Sequence, residues 1–155
     1  MENGSIEREI HVEASPEVVF EVITSPDHIR EWWHGAETDI APSPGRTCEI
    51  VWGDRESPDS HVARLTVVEA VAPRLFSFRW DYAEGDVPST DNSLLVTFEL
   101  AAAGTGTRLR LVETGFRERG WEVAKLEEVY ADHNGGWDAC MSGLQSHLAT
   151  LATTP

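Results

Sequence analysis

Between residues 6 and 13 the chain alternates. Ile6, Arg8, Ile10 and Val12 fall on one side, and Glu7, Glu9, His11 and Glu13 on the other. A period of two places successive side chains on opposite faces of a strand, so this stretch predicts a first strand with its glutamates in water. Arg8 is the one charge in the otherwise apolar row. Ser15-Pro16-Glu17 then supplies an N-cap, a proline at the first helical position and an acid in the first turn, ahead of Val18, Val19, Phe20, Val22 and Ile23. Ser25-Pro26-Asp27 repeats the signal before Ile29, Trp32 and Trp33. Two short helices in succession are predicted, plugging one opening of whatever sheet follows.

From residue 36 to residue 114 turn signals recur at strand-length intervals: Pro42 to Gly45, Gly53 to Ser60, Ala72-Pro73, Glu84 to Asn92 and Gly104 to Gly106. The segments between them predict strands over residues 37–41, 46–52, 61–70, 74–82, 93–101 and 106–114. Consecutive strands then pair as neighbours, which with the first strand makes seven antiparallel strands. Phase assigns their faces. Phe76, Phe78, Trp80 and Tyr82 share the inward side of one strand, opposite Ser77, Arg79 and Asp81. Leu94, Val96, Phe98 and Leu100 line the next, Leu109, Leu111 and Glu113 the last, and Cys48, Ile50 and Trp52 an earlier one. Glu113 is the odd member of this set.

Near the end, Trp137, Met141, Leu144, Leu148 and Leu151 recur at steps of four, three, four and three, the spacing of one apolar stripe along a helix. The phase continues backward through Val123, Leu126, Tyr130 and His133. Gly135 and Gly136 interrupt it, each costing about 1 kcal/mol relative to alanine inside a helix. They predict a break or kink near Gly135, with His133 over a cavity mouth. The fold class is α+β: a curved seven-stranded antiparallel sheet around a long C-terminal helix, with two short helices after the first strand, as one domain over residues 1–155.

A length of 155 residues with 41% hydrophobic content suits one core that buries roughly 70% of the unfolded surface. Twelve Lys and Arg against 27 Asp and Glu give a formal charge of −15, a field that repels phosphate backbones and anionic headgroups. Nucleic acid is therefore excluded as a partner. No apolar run approaches the roughly 18 residues of a membrane span, and Met1 to Arg8 lacks the basic and apolar regions of a signal peptide. A cytoplasmic protein is expected. Cys48 and Cys140, without metal-type spacing, read as reduced core thiols.

Taken in order, Ser15-Pro16-Glu17-Val18-Val19-Phe20, Thr24-Ser25-Pro26, Glu31-Trp32-Trp33, Pro73-Arg74-Leu75 through Trp80, and Gly136-Trp137 resemble the helix-grip superfamily, also called SRPBCC or START-like. Within it the chain looks most like bacterial relatives of the C-terminal domain of the activator of Hsp90 ATPase. The resemblance implies the helix-grip fold. It leaves function open, because lipid carriers, hormone receptors, polyketide cyclases, antibiotic-sequestering proteins and chaperone regulators share that shape.

A curved sheet closed by one helix leaves room for a ligand, and the expected walls are Trp32, Trp52, Phe76, Phe78, Trp80, Tyr82, Phe98, Leu111, Trp137 and Met141, with Glu113 and His133 as the polar members. A buried carboxylate demands a partner, and Arg8 or His133 can supply one. The pair Glu113 and His133 forms the candidate acid-base site. No HxxxH or CxxC spacing supports a metal, and no cofactor is expected. The leading expectation is a non-enzymatic binding protein for a small hydrophobic molecule, a lipid, polyketide or aromatic. It is held between sheet and helix and admitted near the short helices and residues 84–92. A cyclase, dehydratase or hydrolase using Glu113 or His133 is the alternative, and an Hsp90-type regulator module a further one. Oligomeric state, including a homodimer, is open.

Overall fold

The computed structural model of the protein describes residues 4–53, 61–80, 82 and 85–153. Strand β1 (Ser5–Val12) leads into helices α1 (Pro16–Thr24) and α2 (Pro26–Trp32). Six strands follow: β2 (Glu37–Thr38), β3 (Thr47–Trp52), β4 (His61–Val71), β5 (Leu75–Trp80), β6 (Leu94–Ala103) and β7 (Gly106–Thr114). Helix α3 (Val123–Thr153) closes the chain. The seven strands form one antiparallel sheet in the order β1-β7-β6-β5-β4-β3-β2, so the first strand pairs with the last and the rest meander. The helix-grip architecture expected from the sequence is present.

Local signals act as predicted at the first helix, where the Ser15 hydroxyl accepts from the Val18 amide and Pro16 opens the helix. At α2 proline alone marks the start, since Ser25 makes no side-chain cap. The short helices bury Val19, Val22, Ile23 and Ile29, and the Trp32 indole donates to the Val22 carbonyl at 2.9 Å, tying α2 to α1.

Three expectations are corrected. The strand expected over 37–41 is two residues long, because the Thr38 hydroxyl donates to the Glu49 carbonyl and accepts from the Ile40 amide, turning the chain off the sheet. The strand expected over 74–82 ends at Trp80. Residues 81 and 84 and the turn at 54–60 lie outside the described residues.

The third correction is the largest: α3 runs unbroken for 31 residues through Gly135 and Gly136. Contacts on both sides of the glycines hold it to the sheet. Tyr130 donates to the Ser5 carbonyl, and Arg8 reaches Asn134 and Asp138. Burial of Trp137, Cys140, Met141, Leu144 and Leu148 does the rest, which offsets the roughly 2 kcal/mol that two helical glycines cost. Arg8 is thus spent on α3 and is not the partner of Glu113. Among the described residues no helix is long and apolar enough to cross a membrane.

Helices α2 and α3 also meet through two histidines, His28 Nδ1 lying 2.9 Å from His147 Nε2. One ring must donate and the other accept, so the bond requires at least one neutral imidazole. Burial, then the neighbouring His28, lower the His147 pKa from its usual 6.5, against a smaller opposing pull from Glu31. A depressed base is protonated more readily in the unfolded chain, so this contribution to stability is full above about pH 6.5 and is lost as the pH falls through the folded value. Urea melts between pH 7.5 and 5 should show declining stability, with a shallower decline in His147→Gln.

Two glycines of α3 predict opposite signs. A Cβ on Gly143 would sit 2.6 Å from the Trp32 carbonyl oxygen, where α3 meets α2, whereas one on Gly135 meets nothing within 4 Å. Gly143→Ala should destabilise the fold by about 1–3 kcal/mol, and Gly135→Ala should stabilise it by up to about 1 kcal/mol, both read by chemical denaturation.

Candidate functional site

Glu113 lies on β7, opposite Ile6 of β1 and Val96 of β6, and its side chain is fully buried. Alternation along β7 dictates that position, since Leu109 and Leu111 precede it on the same face. Three N–H-bearing rings converge on it. Trp80 Nε1 donates to Oε2 at 2.7 Å and Trp137 Nε1 to Oε1 at 2.8 Å. His133 Nδ1 lies 2.9 and 3.1 Å from the two oxygens. His133 and Trp137 are four residues apart on α3 and therefore share a face, and Trp80 ends β5. The carboxylate consequently joins the helix to the centre of the sheet.

Above this cluster is a cavity of about 240 Å3 between α3, the end of α2 and the β3–β5 side of the sheet. Its walls include Trp33, Trp52, Trp80 and Trp137, and each indole lies within 5.4–6.5 Å of at least two of the others. His34, His61, His133 and Asp132 line it as well, and Gly136 and Cys140 complete it from α3. A groove bordered by Trp121 and Val129 shares His61, Asp132 and His133 with the cavity. Trp33 caps α2 and is followed by His34 in the left-handed region (φ 53°), a turn that sets both side chains against the cavity.

Three of the four indole N–H groups are engaged away from this space. Those of Trp80 and Trp137 serve Glu113, and that of Trp52 donates to the Trp33 carbonyl at 3.0 Å. What Trp52, Trp80 and Trp137 present to it is ring surface. Burial, then the Glu113 charge, push the Cys140 thiol well above its usual range, against the Trp33 hydrogen bond, and burial also raises Cys48. Neither sulfur is poised as a nucleophile. Among the described residues, no group of three or more His, Cys, Asp or Glu is placed to hold a metal ion.

The structure thus sorts the residues singled out from sequence. Trp52, Trp80, His133 and Trp137 line the cavity, and Glu113 lies directly behind them. Trp32, Phe76, Phe78, Phe98, Leu111 and Met141 pack in the core beneath, Phe78 against Trp80 and Phe98 against Trp137. Tyr82 stands apart, its hydroxyl bonded to that of Thr66.

Sequence reasoning missed Trp33, His34, His61 and Cys140 as lining residues. Trp33 was within reach, because Trp32 and Trp33 lie three and four residues after Ile29 and both fall on the buried side. Trp32 fills the core and Trp33 stacks on it, rings 5.2 Å apart and 7° from parallel, to form the wall. His61 reaches the site only through tertiary pairing with β3 opposite Trp52, and no local pattern announces it. Phe116, just past β7, packs edge-on against His133 and Tyr130 and fixes the histidine from behind.

A family model described as activator of Hsp90 ATPase homolog 1-like protein matches residues 13–149. The chain belongs to that family. Solved structures carry the same fold across nearly the whole activator-like domain. The crystal structure of protein MLL2253 from Mesorhizobium loti is 24% identical over 97% of this chain and 99% of that one, with a TM-score of 0.76. The Aha1 dimer from Colwellia psychrerythraea, solved in solution, is 18% identical over 93% and 95%, with a TM-score of 0.69. DynU16, a protein of the dynemicin biosynthetic locus, matches 95% of this chain and 48% of its own at 18% identity and a TM-score of 0.70. No curated protein matches the sequence significantly.

The donor arrangement makes Glu113→Gln far from isosteric. Whichever oxygen becomes NH2 then faces an indole N–H, donor against donor, because each carboxylate oxygen accepts from a tryptophan. Glu113→Gln should lose about 1–3 kcal/mol of stability in denaturant titration, and Glu113→Leu, which strands both indole donors, at least as much.

Proposed function

We propose that this activator-like domain binds a small hydrophobic molecule in the tryptophan-walled cavity between the sheet and α3. The observation that carries this reading is the cavity itself. Its volume of about 240 Å3 exceeds the roughly 150 Å3 of a dry protein cavity that accepts benzene, and four indole rings surround it. Affinity comes from apolar burial at about 25 cal/mol per Å2, and Glu113, held behind two of the rings, keeps the walls in place more than it meets the ligand. That DynU16 belongs to a biosynthetic locus fits a fold used around small molecules.

A second reading rests on the His133–Glu113 contact. A carboxylate holding one ring nitrogen of a histidine at a cavity wall is the arrangement of an acid-base pair, so a proton-transfer reaction on a bound substrate is the alternative. Both readings place the ligand in the same space.

Titration with lipids, flavonoids and polyketides, read by tryptophan fluorescence and thermal shift, tests the proposal. At least one class should quench the emission with a Kd in the micromolar to sub-millimolar range and raise Tm, and Trp52→Leu should weaken that binding several-fold. Uniform silence across the panel overturns it. Turnover of a bound compound that disappears in His133→Gln while its affinity persists moves the assignment to the enzyme reading.

A further inference from the structure

We infer that the cavity prefers a compact organic cation, a quaternary or tertiary ammonium with an apolar skirt, over a neutral molecule of the same shape. This rests on the binding role proposed above and names its ligand class.

Three observations converge on a positive charge. The first is the direction of the indole N–H groups: Trp52, Trp80 and Trp137 spend theirs on protein acceptors, so the cavity receives the ring surfaces of these three and none of their donors. The face of an aromatic ring is the negative end of its quadrupole, and tryptophan is the strongest of the side chains in attracting a cation there. Donation from Trp80 and Trp137 to the Glu113 carboxylate makes those two rings more electron-rich still, which strengthens that attraction.

The second is the charge of the lining. Asp132 is the one acid on the wall, and among the described residues none that lines the cavity is a lysine or arginine. Two arginines border the adjoining groove, where Arg64 pairs with Glu49 at 3.0 Å and Arg119 lies over the Trp121 ring at 4.6 Å. An anionic ligand such as a fatty carboxylate would meet no lysine or arginine there, only the imidazoles of His34, His61 and His133, and would sit beside the Asp132 charge; burying an incompletely paired charge is costly.

The third is the wider field. A formal charge of −15 draws cations toward the surface and repels anions. That alone gives no selectivity between sites, but it acts in the same direction as the ring surfaces and Asp132.

The test uses three probes on the whole chain by isothermal titration calorimetry: benzyltrimethylammonium, its neutral carbon isostere neopentylbenzene, and indole as a flat neutral aromatic. The cation should bind about ten- to thirtyfold more tightly than its isostere. It should keep most of that advantage in about 0.5 M NaCl, where exposed charges are screened. Asp132→Asn should weaken the cation several-fold and leave neopentylbenzene unchanged, and Trp52→Leu should narrow the ratio between the two. Equal or tighter binding of neopentylbenzene overturns the inference, as does cation affinity that vanishes in high salt. If indole binds and benzyltrimethylammonium does not, the charge preference falls and the hydrophobic-binding role stands. Failure of all three probes overturns the charge preference, and the lipid, flavonoid and polyketide panel then decides the hydrophobic-binding role.

Discussion

A fully buried carboxylate that must be satisfied organises this molecule. Among the described residues Glu113 forms its ion pair with His133 and with no lysine or arginine, and the expected helper, Arg8, is engaged by Asn134 and Asp138. The side chain is kept inside by two indole N–H groups and an imidazole. Those donors come from β5 and α3, elements far apart in the chain, so satisfying one side chain fixes where the long helix lies on the sheet. The rings brought in to serve the carboxylate are the same rings that form the cavity wall. Stability and the site are thereby built from one set of contacts, and a change to Glu113 acts on both.

Most of the architecture was legible in periodicity. The alternation from Ile6 to Val12, the inward rows ending in Trp80 and Glu113, and the stripe from Trp137 to Leu148 each identified an element and its buried face. Glu113 stood out because phase placed an acid in an apolar row, and His133 was one of two candidate partners; geometry chose it. What periodicity could not supply was tertiary. The Gly135-Gly136 pair reads locally as a break, yet contacts of Tyr130, Asn134 and Asp138 with β1 on either side of it keep the helix continuous. His61 enters the site through strand pairing and Cys140 through the helix turn that follows Trp137, and neither residue type in isolation signals a wall.

The tryptophan arrangement separates two jobs that aromatic residues often share. Trp32 is nearly inaccessible and donates inward to Val22, making it core. Trp33, its neighbour in sequence, stacks on it and faces the cavity. The pair acts as a two-layer wall in which the core ring sets the orientation of the cavity-facing one. Such a wall is rigid before any ligand arrives, so little side-chain freedom remains to be lost on binding.

The open sheet has two edges, β1 and β2, and each meets a hazard of its own. An unpaired strand edge offers a row of free amides and carbonyls to any other strand, the route by which sheets join into fibrils. Here β1 carries Glu7, Glu9 and His11 at alternate positions, and β2 is cut to Glu37 and Thr38 by the hydrogen bonds of the threonine hydroxyl. A second copy approaching either side meets acid or an edge too short to extend. The abbreviated strand that departs from the sequence pattern therefore serves as a stop, ending the ladder where a longer one would invite its continuation.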